Sequence, residues 1–306
     1  MTAQQEPLNK TKTNEIQLQE TNLRDNGADF QDEEAKKTRA NNDGGSASSS
    51  TVETITARNN LSSPFRFVPL SMGGGGRTHM VTNGSRRLME QEAGLADLQK
   101  MTESFYEKAF QDATLDQFIH SHNDPHGNRF AKWIHQKLSG SNVWDQDRRT
   151  RDRTPKTLAG GHQHVVHDRS SAHVAAWYST KRPVEDQGHH FKLDEARVWM
   201  RLHFWAMRDT GLLETAPSFA DYYVRFIGHF MRVYEGTAPM FARESLRWSA
   251  NPANIESYVA SGRRMTDVLG LSLVQAERQL PSPEAADMEW PYNTTAQNAS
   301  VEPEAF

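Results

Sequence analysis

Histidines are the residues of this chain whose type and spacing point most directly to chemistry. His173 lies in the small and apolar run RSSAHVAAW, residues 169–177, shortly after His162, His164 and His167. A neutral imidazole binds a metal ion through one ring nitrogen while a hydrogen bond to the other nitrogen fixes its tautomer. The small neighbours of His173 leave room for a large flat group. This histidine is therefore a hydrogen-bonded core residue, a metal ligand or the axial ligand of a cofactor.

The histidines that precede it form a second candidate site. His162, His164 and His167 give the pattern HxHxxH, a spacing that suits zinc or iron. Sites of this kind usually follow a strand, and no convincing alternating strand pattern occurs in this sequence. Gly160 and Gly161 also indicate a mobile loop. Solvent-exposed histidines are the favoured interpretation, and a histidine-metal enzyme is an alternative.

The composition excludes several classes of protein. The 306 residues include no cysteine, which rules out disulfides, thiolate catalysis and thiolate metal sites. The net charge of −4 predicts neither a nucleic-acid partner nor a membrane surface. No stretch approaches the roughly 20 apolar residues that cross a bilayer, and the N-terminus does not look like a secretory signal. We therefore expect a cytoplasmic protein.

The first 84 residues are predicted to be a disordered or linker region. Residues 1–60 are rich in Glu, Gln, Asn, Asp, Thr and Ser and hold few aromatic residues. Such a segment buries too little apolar surface to offset the entropy lost on ordering. The apolar island PFRFVPL, residues 64–70, is expected to pack on the core, and the glycines at 73–76 are expected to act as a flexible joint.

Helical patterns begin after this region and must position the candidate residues. Apolar residues recur every three or four positions from Leu95, which predicts an amphipathic helix. LDQFI, residues 115–119, is typical of a short helix. The pair at residues 124–125, Asp followed by Pro, predicts the start of another helix, because aspartate caps and proline suits the first turn. Residues 141–166 are polar and are predicted to be a long loop.

The second half of the chain also reads as helical. A short helix is predicted over residues 170–178, and Asp194 is expected to cap EARVWMRLHFWAMRD, the strongest helical segment. A further helix is expected to start at Pro217, and residues 281–306 are expected to form a loose tail. Since no strand pattern appears, we predict an all-α fold.

Several of these segments together resemble one protein family. FYEKAFQDATLDQFI, residues 105–119, has Phe-Tyr on a helix, then Asp, Leu and a Phe-Ile pair. DPHGNRFAKWI, residues 124–134, places His126 one helical turn before Phe130, and EARVWMRLHFWA follows downstream. Over about residues 95–234 this order of elements resembles the truncated (two-over-two) haemoglobins, and it is most similar to their group II.

The resemblance implies a globin-like helical sandwich over residues 85–250 that holds haem b (iron protoporphyrin IX), with added C-terminal helices and a flexible tail over 251–306. The positions that it assigns to the haem pocket are the distal Tyr106, the bulky Phe118 or Ile119, the distal-helix residues His126 and Phe130, the proximal iron ligand His173, and Trp199. His190 is the alternative proximal ligand, because HHFKL imitates the run that follows the family's proximal histidine.

The chain departs from the family pattern in two places. The glycine pair that usually follows the distal helix is represented here by Ser139 and Gly140. His173 precedes Trp199 by about twice the usual spacing, which requires an insertion at about residues 179–187. That long spacing is the reason why His190 stays open as a second choice.

A haem protein of this kind implies binding of O₂, NO or CO at the sixth position of the iron. The Tyr106 hydroxyl, the His126 imidazole and the Trp199 indole are the donors expected to hold such a gas. Oxygen binding, NO scavenging and sensing are the roles that follow, and NO dioxygenase or peroxidase-like activity would need an electron-donor reductase. A haem-free helical interaction module is the alternative from another class. Neither the oligomeric state nor the physiological gas follows from the sequence.

Overall fold

The computed structural model describes residues 65–76 and 78–289, and these residues form helices joined by short connections. The helices are α1 (Asn83–Gln91), α2 (Leu95–Ala109), α3 (His126–Ser139), α4 (Val143–Arg149), α5 (Arg169–Trp177), α6 (Leu193–Asp209), α7 (Leu212–Thr215), α8 (Pro217–Met231), α9 (Ala242–Trp248), α10 (Pro252–Ala260), α11 (Leu273–Glu277) and α12 (Pro283–Glu289). The predicted all-α class is confirmed. In this described part of the chain, no helix combines the length and the apolar character needed to span a membrane.

Very short elements connect the helices. The strands pair antiparallel as β1 (Met72–Gly73) with β2 (Thr78–His79) and β3 (Lys156–Thr157) with β4 (Gln163–His164). The 3₁₀ turns are Asp116–Phe118, Ala159–Gly161, Val184–Asp186 and Ala238–Phe241. Strands of two residues are too short to produce an alternating pattern, which explains why the sequence shows none.

A close crossing of α2 and α3 sets the geometry of the first half of the fold. Gly127 on α3 lies so near Glu103 on α2 that a Cβ atom at Gly127 would be 2.9 Å from the Glu103 backbone nitrogen and Cα. The Thr102 hydroxyl donates a hydrogen bond of 2.7 Å to the Gly127 carbonyl at the same crossing. As a result, Tyr106 on α2 and His126 on α3 stack with ring centroids 5.2 Å apart.

α6 is the central helix of the core. Its buried residues occur around nearly its whole circumference, as its apolar sequence predicts. The helix begins two residues earlier than predicted, with Lys192 as the N-cap, and the Glu195 carboxylate accepts the Lys192 backbone N–H at 2.7 Å. Asp194 lies in the first turn instead, where its carboxylate accepts the Gly270 N–H at 3.0 Å. It therefore ties α6 to the C-terminal segment.

Residues 65–84 are not a linker. Val68 and Leu70 pack against the main core, as expected for the apolar island. The Ser218 hydroxyl at the start of α8 accepts the Arg66 N–H at 2.9 Å, and His79 is hydrogen-bonded to the Tyr222 hydroxyl at 2.6 Å. The packed region therefore starts before residue 85, and the rest of the predicted disordered region, residues 1–64, lies outside the described residues.

Residues 141–166 are not a long loop either. They form α4 and the β3–β4 hairpin, and α4 is attached to α3 mainly by polar contacts. Asp147 pairs with Lys132 at 2.8 Å and with Arg151 at 2.7 Å. The Gln136 side chain on α3 accepts the Trp144 N–H at 2.9 Å, which caps the start of α4. A helix held in this way lacks an apolar stripe, so periodicity does not reveal it.

The segments that follow α8 pack against α6 through ion pairs. Glu244 on α9 lies between the buried Arg197 and Arg201, and Asp267 binds Arg201 at 2.7 Å. The Tyr258 hydroxyl on α10 donates to Asp112 at 2.9 Å. The predicted C-terminal extension thus packs on the helical core through α10 and α11, while residues 290–306 of the predicted tail lie outside the described residues.

The α2–α3 crossing yields a stability test. Replacing Gly127 by Ala forces a methyl group against the Glu103 backbone, and overpacking of this kind costs about 1–3 kcal/mol of unfolding free energy. Urea unfolding followed by circular dichroism measures the change. Gly228→Ala on α8 is the matched control, because its Cβ would lie 3.4 Å from Ala242 at ordinary contact distance. We expect that variant to be unchanged or slightly more stable, and equal losses in both variants would contradict this account of the crossing.

Candidate functional site

One cavity of about 250 Å³ lies among α2, α3, α5, α6 and the end of α8. Its lining includes every residue that the resemblance assigns to a haem pocket: Tyr106, Phe118, Ile119, His126, Phe130, His173 and Trp199. These residues come from five separate segments of the sequence, so only the tertiary fold brings them to one place. Their position around one cavity is observed, whereas their role toward a cofactor stays a prediction.

His173 is placed by the short helix α5. Asp168 caps this helix by accepting the Ser171 N–H at 2.8 Å, and the Ser171 hydroxyl in turn accepts the Asp168 N–H at 2.9 Å. The His173 ring lies edge-on against Tyr234 at 4.6 Å and against Phe191 at 5.6 Å between centroids. The small Ala172 and Ala176 line the cavity beside it.

The His173 imidazole has no hydrogen bond to any of the described residues. Burial, followed by the nearby Arg169 charge, lowers the pKa of His173 to about 3. The ring is therefore neutral at physiological pH and keeps a lone pair on one nitrogen. Buried polar groups normally have a partner, so a neutral imidazole at a cavity wall without one is suited to bind a ligand held in that cavity.

His190, the alternative ligand, does not line the cavity. Its exposed ring stacks on Trp177, with centroids 4.1 Å apart and an interplanar angle of 15°. The 3₁₀ turn Val184–Asp186 lies within the expected insertion between His173 and Trp199. The geometry therefore favours His173 over His190.

Tyr106 and His126 lie side by side on another wall. Burial raises the pKa of the Tyr106 phenol to about 12, so this hydroxyl stays protonated, and it has no hydrogen-bond partner among the described residues. The His126 Nε2 lies 2.9 Å from the Ser121 carbonyl. Because a carbonyl only accepts, Nε2 must carry the proton and Nδ1 is an acceptor in the neutral ring. Burial lowers the pKa of His126, which favours that neutral ring.

This assignment corrects one expectation from the sequence. His126 already uses its ring proton on Ser121, so it does not donate to a ligand in the cavity. The Tyr106 hydroxyl and the Trp199 indole N–H are the remaining donors of the predicted set. Trp199 is held edge-on against Phe105 at 5.3 Å and parallel to His203 at 4.6 Å between centroids.

Several polar groups that line the cavity are not among the site residues predicted from the sequence. These residues are Asp124, Arg129, Arg151, Asp168, Arg169 and Glu195. The three carboxylates have partners within the chain, since Asp124 binds Lys156, Glu195 lies 3.5 Å from Arg182, and Asp168 caps α5. Arg129 has no ion pair among the described residues. Its position three residues after His126 places it on the same face of α3, and this spacing was the available signal.

The other arginines of this group are oriented by aromatic rings. The Arg151 guanidinium lies 4.1 Å from the Trp144 ring centroid and binds Asp147. The Arg169 guanidinium lies 4.7 Å from the centroid of Phe230. An apolar cavity with guanidinium groups along it suits a ligand with a flat apolar body and anionic carboxylates.

The HxHxxH histidines do not form a metal site. His164 is hydrogen-bonded to the Ser171 carbonyl at 2.8 Å, and His162 is exposed. Over residues 65–76 and 78–289, no group of three or more His, Asp or Glu side chains is arranged to hold a metal ion. The arrangement of the described residues therefore gives the histidine-metal alternative no support.

Comparison of the chain with protein-family models, with curated proteins and with solved structures found no match.

The buried His173 predicts a pH dependence of stability. Its pKa is 6.5 in an unfolded chain and about 3 in the fold, so between these values only the unfolded chain binds this proton. The contribution of the neutral His173 to the free energy of unfolding is complete above pH 6.5. Below this value it is lost as the pH falls, by up to about 1.4 kcal/mol per pH unit. Replacing His173 by Leu should therefore reduce the loss of stability between pH 7 and pH 5.

Urea unfolding of the two proteins at both pH values measures this effect. His190→Leu is the control and should change the pH dependence less, because that ring is exposed. If the free energies of unfolding of wild type and His173→Leu changed equally between pH 7 and pH 5, His173 would bind its proton as readily in the fold as in the unfolded chain. That result would contradict the prediction.

Proposed function

We propose that this protein is a haem-binding, globin-like protein that binds a diatomic gas. The observation that carries the proposal is the single cavity lined by all seven residues that the resemblance selects. A neutral imidazole without a partner, His173, faces this cavity together with a protonated hydroxyl, Tyr106. The proposed fold is the two-over-two globin sandwich, with added C-terminal helices.

The residues present fit haem b. Phe118, Phe130 and Trp199 supply flat apolar walls, and the neutral His173 is the form of imidazole that binds iron. Arg129, Arg151 and Arg169 are positioned to pair with the two carboxylates of the porphyrin. When bound, haem would supply an iron whose sixth position takes O₂, NO or CO.

The chain's own residues determine how a gas is held. The Tyr106 hydroxyl donates a hydrogen bond to the gas, since it is protonated and has no other partner among the described residues. The Trp199 N–H is a second donor, and His126 fixes the Tyr106 ring by stacking. The surrounding apolar side chains exclude water, which strengthens each hydrogen bond.

Three roles follow from gas binding at such a site: oxygen binding, NO scavenging and sensing. NO dioxygenation and peroxidase-like turnover both consume electrons, so an electron-donor reductase is the partner that these two activities require. Gas binding alone requires the haem, the cavity and its donors but no electron donor, and it is the activity that we propose first.

Absorbance spectroscopy tests the cofactor and its ligand. We expect the purified protein to take up haem and to show a Soret band that shifts when CO is added to the reduced form. His173→Gly should lose this band or its ligand-dependent shift, because the other neutral imidazole that lines the cavity, His126, lies on another wall beside Tyr106, and added imidazole should restore the spectrum. His190→Gly is the control and should keep the wild-type spectrum.

Two results would overturn this assignment. Absence of haem uptake by the folded wild-type protein would favour a haem-free helical interaction module. Loss of the spectrum in His190→Gly but not in His173→Gly would move the iron ligand to His190.

The hydrogen bond from Tyr106 can be tested by kinetics. Replacing Tyr106 by Phe removes a donor worth about 1 kcal/mol, so O₂ should dissociate about fivefold faster in stopped-flow measurements. Tyr234→Phe is the matched control, because this tyrosine also lines the cavity but lies against His173. An unchanged rate in Tyr106→Phe would assign the hydrogen bond to Trp199 or to none.

A further inference from the structure

A buried tyrosine–histidine pair lies behind one wall of the cavity. The Tyr223 hydroxyl on α8 is 2.8 Å from His203 Nε2 on α6, and both side chains have 0% exposure. Neither residue is among those that line the cavity. The other nitrogen of the ring, His203 Nδ1, is buried and has no hydrogen-bond partner among the described residues. The gas-binding site described above makes no use of this pair.

The direction of this hydrogen bond follows from counting donors and acceptors. If Tyr223 donates to Nε2, only the His203 Nδ1–H lacks a partner. If Nε2–H donates instead, both the Tyr223 O–H and the Nδ1 lone pair lack one. Because each buried unsatisfied polar group is costly, the first arrangement is favoured. Tyr223 is therefore the proton donor and His203 the acceptor.

Aromatic contacts connect this pair to the cavity. Trp199, which lines the cavity, precedes His203 by one turn of α6, and the two rings are parallel within 6° at 4.6 Å between centroids. The His203 and Tyr223 rings follow at 5.5 Å. An electron travelling from Tyr223 to the cavity thus passes through side chains in direct contact.

Whether a tyrosine can be oxidised depends on a nearby proton acceptor. A phenol that loses an electron becomes a very strong acid, so it is readily oxidised only where a base can take its proton. His203 Nε2 is such a base at hydrogen-bond distance. Burial lowers the pKa of His203 to about 3, yet its imidazole is still far more basic than an oxidised phenol.

We propose that Tyr223, His203 and Trp199 form an electron and proton relay that delivers one oxidising equivalent from the cavity to Tyr223. This inference rests on the proposed haem site, and the oxidant is hydrogen peroxide. Peroxide is reduced to two water molecules with two protons from solvent and two electrons. One electron would come from ferrous iron, which becomes ferric, and one from Tyr223 through Trp199, while the Tyr223 hydroxyl proton moves to His203 Nε2. The product is a neutral tyrosyl radical at Tyr223.

The fold supplies a matched control for this relay. Tyr222, the neighbouring residue on α8, is also buried and is hydrogen-bonded to a buried histidine, with its hydroxyl 2.6 Å from His79 Nε2. The His79 ring contacts Tyr222 and Phe226. From His79 the ring contacts reach the cavity through Phe226 and Trp133, at 5.2 and 5.8 Å between centroids, so this route passes through a phenylalanine, which is much harder to oxidise than tryptophan. The two pairs share their chemistry and differ in their connection to the cavity.

The experiment is rapid-freeze electron paramagnetic resonance of the haem-loaded protein after addition of hydrogen peroxide. We expect a tyrosyl radical whose line shape changes when the protein is grown with ring-deuterated tyrosine. Tyr223→Phe should lose most of this signal, whereas Tyr222→Phe should keep it. His203→Gln retains a hydrogen-bond acceptor but cannot take the proton, so it should also lose the Tyr223 radical. Circular dichroism and the Soret band of each variant confirm folding and haem content.

The outcomes separate this relay from the proposed gas-binding function. A folded wild-type protein that takes up no haem overturns both. Normal haem uptake with no tyrosyl radical, or with a radical that persists in Tyr223→Phe, overturns only the relay. Equal loss in Tyr222→Phe and Tyr223→Phe also overturns it, because that result would reflect disturbed packing of α8.

Discussion

The close crossing of α2 and α3 at Gly127 is the constraint on which the cavity depends. A glycine is required there because the Glu103 backbone occupies the space where a Cβ would lie. The resulting separation brings Tyr106 and His126 into ring contact. A wider spacing between these helices would separate the two rings and close or distort the space in front of Trp199. The close backbone contact at Gly127 thus determines the position of the cavity wall that Tyr106 and His126 form.

The polar groups around the cavity divide into two kinds. The carboxylates and His126 are satisfied within the chain by Lys156, Arg182, the α5 backbone and the Ser121 carbonyl. His173 and the Tyr106 hydroxyl have no such partner among the described residues. Since both polar groups line the cavity, they mark where a bound ligand would find hydrogen-bonding or metal-binding partners. The proposed haem and gas provide partners for both.

The sequence was most informative where one face of a helix is apolar. The helices around Leu95, His126, His173 and Trp199 were all expected, because their apolar residues recur with the helical period. Periodicity did not identify α4, which Asp147 and Gln136 fasten to α3 through side-chain contacts. Composition predicted packing of the apolar island but not of the segment after it, residues 71–76 and 78–82, since the deciding contacts, such as His79 with Tyr222, join positions far apart in the chain.

By itself, the sequence determined the all-α class and a set of candidate residues, because helix periodicity and residue type are local properties. It did not choose between His173 and His190, since both histidines have plausible local neighbours. The tertiary structure separated them by placing one ring at the cavity and the other against Trp177 on the exposed side. It also decided that His126 donates its ring proton to the Ser121 carbonyl and that Tyr223 pairs with His203, because such hydrogen-bond partners are known only after folding.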